Sequence, residues 1–176
     1  MSDTVRSLEE LKGVREAQLK LDYFLLGLAS ALFAYIGGQY KPMPISFSQN
    51  TVELIALGLF FISILSGFMR LDFNISVMKL NFQKLDMGER KGTIHKALSI
   101  PGPVLNIDTG ESLNKTEAAY IVQLINENTP KVVANIDKYT RYSSLSFTVR
   151  NWALMIGFIA LAFSKVMGVY AISSSV

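Results

Sequence analysis

The chain has 176 residues, half of them hydrophobic, and a formal net charge of +3. It contains no cysteine and one histidine, which excludes disulfides, thiol catalysis, iron–sulfur clusters and Cys/His zinc sites. The apolar residues fall into three blocks, Tyr23–Ile36, Leu54–Met69 and Trp152–Ile172, separated by long charged stretches. This distribution predicts an all-α integral membrane protein with three transmembrane helices.

Residues 1–22 predict a cytoplasmic amphipathic helix. Ser7–Glu10 fits a capping box, in which the first and fourth side chains bond the free backbone N–H groups of a helix start. The apolar positions that follow recur at steps of three and four: Leu8, Leu11, Val14, Ala17 and Leu21. We expect this helix to run directly into the first span.

Residues 23–40 predict the first span, because they carry no charge and a helix needs about 20 residues to cross a bilayer. The block is not expected to be a cleavable signal peptide, since charges of both signs precede it and no small-x-small site follows it. Residues 41–51, with Pro42 and Pro44, predict a short external loop.

Residues 52–70 and 151–172 predict the second and third spans, and 173–176 an external tail. Lys165 is the one charge in the third block and is expected to snorkel to the far interface. The alternative for each block is a buried core helix of a soluble protein. Three such blocks disfavour it, because too little polar sequence remains to cover them.

The positive charges predict the orientation. All but two of the 17 lysines and arginines fall on the cytoplasmic side if the N-terminus is inside. The exceptions are Lys41 and Lys165. The positive-inside rule therefore predicts a multi-pass protein of a plasma or bacterial inner membrane, with the N-terminus in and the C-terminus out.

Small residues recur at helical spacing in each span, and such residues let helix backbones approach closely in lipid. The sets are Gly27, Ala31, Ala34 and Gly38 in the first span, Ser63 and Gly67 in the second, and Ala153, Gly157, Ala160, Ser164 and Gly168 in the third. They predict a tight bundle, and three helices are few enough that we expect a homo-oligomer. The alternative is that small residues are simply common in membrane helices.

Residues 71–150 predict a small antiparallel helical bundle in the cytoplasm. A heptad stripe predicts that the second span continues as a helix to Gly88, packed on the returning chain: Leu71, Ile75, Met78, Phe82 and Leu85. A strand over 71–77 is the alternative. A capping box at Asn114–Glu117 predicts a helix ending near Asn128, and Thr129–Pro130 predicts the start of the next. Residues 91–110 predict an irregular or β-like tip, with a strand-like fragment at Val104–Ile107.

A basic cluster around Gly92 is the candidate ligand site. It comprises Arg90, Lys91, His95 and Lys96. It would bind an anion such as a nucleotide or phosphate, although its glycine spacing is not that of a P-loop. The alternative is a solvated basic turn.

The sequence favours a non-enzymatic protein without cofactor or metal. No pair of acids is marked for acid–base catalysis, and no serine has a sequence-marked histidine partner. The chain also lacks a basic face interleaved with aromatic residues, so nucleic acid is not an expected partner.

Two functions remain open. Two spans, a cytoplasmic helical segment and a third span resemble, in layout and over the whole chain, small bacterial membrane effectors of nucleotide-activated phage defence. The resemblance is one of layout without a shared motif, and it transfers no residues. It implies an oligomeric effector or channel-like protein whose cytoplasmic part senses a ligand or partner. The alternative is an accessory or scaffold subunit that docks a protein through its stalk and tip, including the apolar run Leu98–Ile107.

Overall fold

The computed structural model describes residues 3–44, 48–99, 104–105, 110, 112–113 and 115–173. Within them the chain forms three long helices, α1 (Asp3–Gln39), α2 (Gln49–Leu98) and α3 (Lys115–Ser173). Two short strands, β1 (Val104–Leu105) and β2 (Ser112–Leu113), lie between α2 and α3 and pair antiparallel. The predicted helical architecture is confirmed, and β1 coincides with the start of the predicted strand-like fragment.

Each long helix contains a segment that is long and apolar enough to cross a membrane. The segments lie within Glu16–Gln39, Gln49–Leu98 and Lys115–Met167. The prediction of three helices of spanning length and composition is therefore confirmed. Their insertion and sidedness stay predictions.

The chain divides into two compact units. The first comprises residues 1–70 and 144–176. Its core joins all three helices around Phe60, which is fully buried, with Ala29 and Ile36 of α1 and Leu154 of α3. The Phe60 ring also meets Phe158 edge to face, with 5.6 Å between the ring centroids. A helical bundle of these apolar segments follows from the burial of one face on each helix.

The second unit comprises residues 71–143 and contains an antiparallel helical hairpin. The Phe73 ring of α2 lies 6.1 Å from Tyr139 and 5.6 Å from Tyr142 of α3, between centroids. The Ser143 hydroxyl bonds the Asn74 side-chain oxygen at 2.7 Å. These contacts fix the register in which the two helices run past each other.

The predicted end of the second helix at Gly88 was wrong, because α2 continues to Leu98. A glycine inside a helix costs about 1 kcal/mol relative to alanine. Helix formers around it and an Asp86–Arg90 pair one turn apart offset that cost. Residues 91–98 are therefore helical. Residues 100–103 and 106–109 of the predicted tip lie outside the described residues.

The predicted break at Thr129–Pro130 was also wrong, because α3 runs through it from Lys115 to Ser173. A proline in a helix interior removes one backbone bond and costs about 3 kcal/mol. The Thr129 hydroxyl bonds the Ile125 carbonyl at 2.6 Å, and Val122 and Val132 are buried on either side of the proline. Tertiary packing thus holds the helix together where the local sequence would end it.

Three of the five residues of the predicted apolar stripe of α2 do not pack on the returning chain, whereas Leu71 and Met78 are half-buried. Ile75, Phe82 and Leu85 are 51%, 68% and 62% exposed. The hairpin is instead held by Phe73 and Asn74, which precede Ile75 by two residues and one residue and contact Tyr139 and Ser143 of α3. A stripe of this face therefore remains open in the second unit.

Candidate functional site

Each helix of the first unit contributes one charged residue to a cluster in which two arginines contact one carboxylate. Arg150 Nη1 lies 2.7 Å from Asp22 Oδ1, and Arg70 Nε lies 2.9 Å from Asp22 Oδ2. The three side chains, here called the ion cluster, are only 1% (Arg150), 3% (Asp22) and 12% (Arg70) exposed. Two guanidinium groups share one carboxylate, so the ion cluster carries a net charge of +1.

The two arginines are held differently. Arg150 donates a well-formed hydrogen bond to Asp22, and it donates two more to Asn151 Oδ1, each at 3.2 Å. The Arg70–Asp22 contact has the distance of an ion pair without the geometry of a hydrogen bond. The Phe147 ring lies under both cations, 4.1 Å from Arg70 Cζ and 5.3 Å from Arg150 Cζ. Cation–π attraction therefore supplements the single carboxylate.

The ion cluster follows from where the apolar blocks begin and end. Asp22 immediately precedes the first charge-free segment, Arg70 follows the second, and Arg150 precedes the third. When consecutive helices alternate in direction, these three positions arrive at the same level. Sequence reasoning used Arg70 and Arg150 as free charges that set the orientation, and it missed their common partner. The available signal was an acid, Asp22, directly at the start of the first charge-free segment, at the level of two basic span ends.

A second polar group lies at the other end of the apolar segments of α2 and α3, away from the ion cluster. Glu53 Oε1 accepts hydrogen bonds from Lys165 Nζ at 2.8 Å, Ser164 Oγ at 3.1 Å and Gln49 Nε2 at 3.3 Å. We call this the Glu53 group. The Lys165 side chain is 59% exposed and pairs with Glu53, and its predicted position at the membrane interface stays a prediction.

The two polar groups bracket an apolar layer. At a rise of about 1.5 Å per residue, Glu53 and Arg70 are about 26 Å apart along α2, and Arg150 and Lys165 about 22 Å apart along α3. No charged residue lies between either pair in the sequence. The hydrocarbon core of a bilayer is about 30 Å thick, so each helix presents a charge-free length of that order between two charged ends.

The small residues of α2 and α3 are inside the bundle. Ser63, Gly67, Ala153, Gly157 and Ser164 are buried, and Ala160 is half-buried. A Cβ atom at Gly157 would lie 3.1 Å from a Phe60 ring carbon, and one at Gly67 would lie 3.0 Å from Leu26 Cδ1. The structure therefore brings these positions to close helix contacts. Gly168 lies in α3, and its surroundings are outside the described part.

The small residues of α1 are on the outer surface instead. Gly27, Ala31, Ala34 and Gly38 are all exposed. A Cβ atom at Gly27 or Gly38 would meet nothing within 4 Å. This face makes no close contact within the described chain.

The basic cluster of the sequence does not converge into one site. Arg90 pairs with Asp86 on the exposed side of α2, and His95 and Lys96 are exposed near its end. Lys91 is half-buried and lines a cleft of about 700 Å³ between α2 and α3 of the second unit. Of the four, Lys91 is the one that lines this cavity. We call this cavity the hairpin cleft.

No protein-family model, curated protein or solved structure matches this chain. Any functional statement must therefore come from the geometry of the ion cluster, the Glu53 group and the hairpin cleft.

Proposed function

We propose that this chain is a non-enzymatic, oligomeric membrane effector of channel-like type, whose second unit senses a ligand or protein partner. The ion cluster is the observation that carries the proposal. Removing an ion from water costs several kcal/mol, and two cations around one carboxylate are a costly way of merely joining helices. Charges buried within membrane helices are typical of working elements. The layout shared with small bacterial phage-defence effectors fits the same function.

The ion cluster suits a two-state element. Asp22 is the single carboxylate for two cations, and its stronger contact is to Arg150. A shift of α2 or α3 would change which of the two arginines the carboxylate neutralises. The free-energy cost of the shift would be that of leaving the other arginine without a counter-charge. Helices α2 and α3 each have residues in both units. A ligand bound in residues 71–143 therefore acts on the same helices that supply Arg70 and Arg150.

Any pore would lie between copies of the chain. The centre of a single first unit is filled by Phe60, Ala56 and their neighbours. The exposed small-residue face of α1, from Gly27 to Gly38, offers a surface on which a second copy could approach closely. This supports the expected homo-oligomer.

Membrane insertion and orientation can be tested directly, because a chain without cysteine is a clean background for labelling. Met43, which is 62% exposed, and Ser99, which is exposed, lie in connections predicted to be on opposite sides. We expect M43C to react with a membrane-impermeant maleimide in intact cells and S99C to react only after lysis. Reaction of both in intact cells would contradict the proposed span, and the reverse pattern would contradict the orientation.

Permeability tests the effector function. Asp22→Asn leaves both arginines without a counter-charge, and we expect it to depolarise cells that carry a potential-sensitive dye. Asp72→Asn alters an exposed acid on α2 and is the matched control. Arg70→Met, which preserves the Asp22–Arg150 pair, should leave cells as polarised as the wild type. An Asp22→Asn protein that is inserted in the membrane without any leak would count against a channel-like effector.

A second candidate function, an accessory subunit of a membrane complex, is favoured by the exposed apolar face of Ile75, Phe82 and Leu85. A partner helix could cover that face. Phe82→Ser together with Leu85→Ser should then abolish co-purification of a partner without affecting membrane insertion. Unchanged co-purification would remove this face from the docking hypothesis.

A further inference from the structure

We propose that the hairpin cleft binds a small organic anion, namely a phosphate or carboxylate group attached to an apolar or aromatic body. The proposal names the class of ligand that the second unit would sense, so the physiological role of the site rests on the proposed function. Binding of the anion itself does not require a pore. The site differs from the basic cluster predicted by sequence, because it draws on Lys84, Lys91 and α3 rather than on Arg90, His95 and Lys96.

The cleft has the size of a ligand site, and it is open at Gly88, which lines it. Its volume of about 700 Å³ falls within the range of about 300–1,000 Å³ that is usual for small-molecule pockets. Gly88 and Pro130 both line it. A Cβ atom at Gly88 would meet nothing within 4 Å, so the missing side chain leaves real space there.

The amines of the cleft favour an anion. Lys84 and Lys91 both line it and lie about 10 Å apart along one face of α2. Neither forms an ion pair within the described residues, in contrast to the neighbouring Arg90. Asp137 is the one acid among the lining residues of the described chain, so the lining retains a net positive charge.

The opposite wall supplies an apolar surface and one amide. Ile125 and Val133 of α3 line it together with Met87 of α2. In the antiparallel register fixed by Asn74 and Ser143, Asn126 comes roughly opposite Lys91. An anionic group is therefore best placed between the Lys91 amine and the Asn126 amide, with the apolar body against the aliphatic side chains.

Pyridoxal 5′-phosphate is a suitable probe, because it is an aromatic anion whose aldehyde forms an imine with a nearby lysine amine and releases water. Borohydride reduces the imine to a stable amine, and peptide mass spectrometry locates it. The full chain in detergent is labelled in parallel with pyridoxal, which lacks the phosphate. The ratio of the two labels at each lysine cancels its intrinsic reactivity.

We expect this ratio at Lys84 and Lys91 to exceed that at Lys79 and Lys96 by about tenfold, which corresponds to about 1.4 kcal/mol of phosphate-dependent binding. Lys79 and Lys96 are exposed on the same helix and do not line the cleft. Equal ratios at all four lysines would overturn the proposal.

A pair of glycine variants tests the space in the cleft. Gly88→Leu adds a side chain at a residue that lines the cleft, whereas Gly92→Leu, one turn later, adds the same side chain at a residue that does not. Both should favour the helix equally. We expect Gly88→Leu to abolish the enrichment and Gly92→Leu to preserve it. The same loss in both would refute a site in the cleft.

Competition identifies the source of the anion. Adenosine monophosphate should reduce the enrichment at Lys91, and adenosine should not. Competition by dihexanoyl phosphatidic acid alone would overturn the assignment to a soluble ligand in favour of a lipid headgroup. Because labelling needs no membrane potential, enrichment without any leak in cells would refute the channel while leaving the anion site intact.

Discussion

Asp22→Asn is expected to be among the most destabilising conservative substitutions in the first unit. It removes the carboxylate charge and keeps the size of the side chain. Arg150, with 1% of its side chain exposed, and Arg70, with 12%, would then lie close together without a counter-charge. Breaking a buried ion pair by removing one partner typically costs about 3–5 kcal/mol.

The net charge of the ion cluster makes the order of effects informative. Arg70→Met loses the contacts of Arg70 with Asp22 and with the Phe147 ring, but it leaves a neutral Asp22–Arg150 pair and removes the repulsion between the two cations. We therefore expect a cost of about 1–2 kcal/mol. Arg150→Met removes the better hydrogen-bonded cation and should fall between the two. Asp86→Asn breaks an exposed pair on α2 and should cost less than about 0.5 kcal/mol.

The assay is unfolding of the full chain in micelles by increasing denaturant, followed by circular dichroism. The expected order of free-energy loss is Asp22→Asn, then Arg150→Met, then Arg70→Met, then Asp86→Asn. If Arg70→Met cost as much as Asp22→Asn, the surplus positive charge would not be what strains the ion cluster. The electrostatic argument would then fail, and side-chain packing alone would explain the cost.

Three further predictions concern the apolar layer. Gly157→Ala should cost about 1–3 kcal/mol in the same unfolding assay, because its Cβ would lie 3.1 Å from an aromatic ring carbon, whereas Gly58→Ala, with nothing within 4 Å, should not destabilise. Gly27→Leu should reduce the cross-linked oligomer seen on gels, and Gly58→Leu should not; equal oligomer in both would remove the α1 face from the interface. Glu53→Gln should cost less than about 1 kcal/mol in the unfolding assay because Lys165 is 59% exposed, and a larger loss would show that the pair is shielded from solvent.

The apolar segments of the three long helices could be predicted from the sequence because their signal is local. A charge-free run such as residues 23–40 has few alternatives to a spanning or buried helix, whatever surrounds it. The same holds for the hairpin, which needs two helical segments joined by a turn. Of the two short strands, β1 was predicted as a strand-like fragment starting at Val104, and β2 was not predicted.

The helix ends were harder to predict because tertiary packing overrides local preference. Gly88 and Pro130 are both residues that commonly end helices, yet α2 and α3 pass through them. Their costs of about 1 and about 3 kcal/mol are comparable to the burial of one or two aliphatic side chains. A single sequence shows the cost and does not show the compensating contacts.

The ion cluster could not be predicted by counting charges. The orientation argument treats each lysine and arginine as a free cation, and Arg70 and Arg150 entered it in that way. Their pairing with Asp22 is a contact between residues that are far apart in the sequence. Only the alternation of helix directions brings them together, and that alternation was itself a prediction.

The ion pairs also bear on the orientation of the chain. Arg70 and Arg150 are buried against Asp22, and Lys165 is neutralised by Glu53, so these three are weaker determinants of sidedness than free surface charges. The bias must then come from exposed cations such as Lys20 and Lys79, against Lys41 on the other side. The paired charges instead join neighbouring helices on both sides of the apolar layer, Asp22 with Arg70 and Arg150 at one side and Glu53 with Lys165 at the other. In the proposed two-state element, a movement of α2 or α3 relative to α1 breaks a contact at the ion cluster.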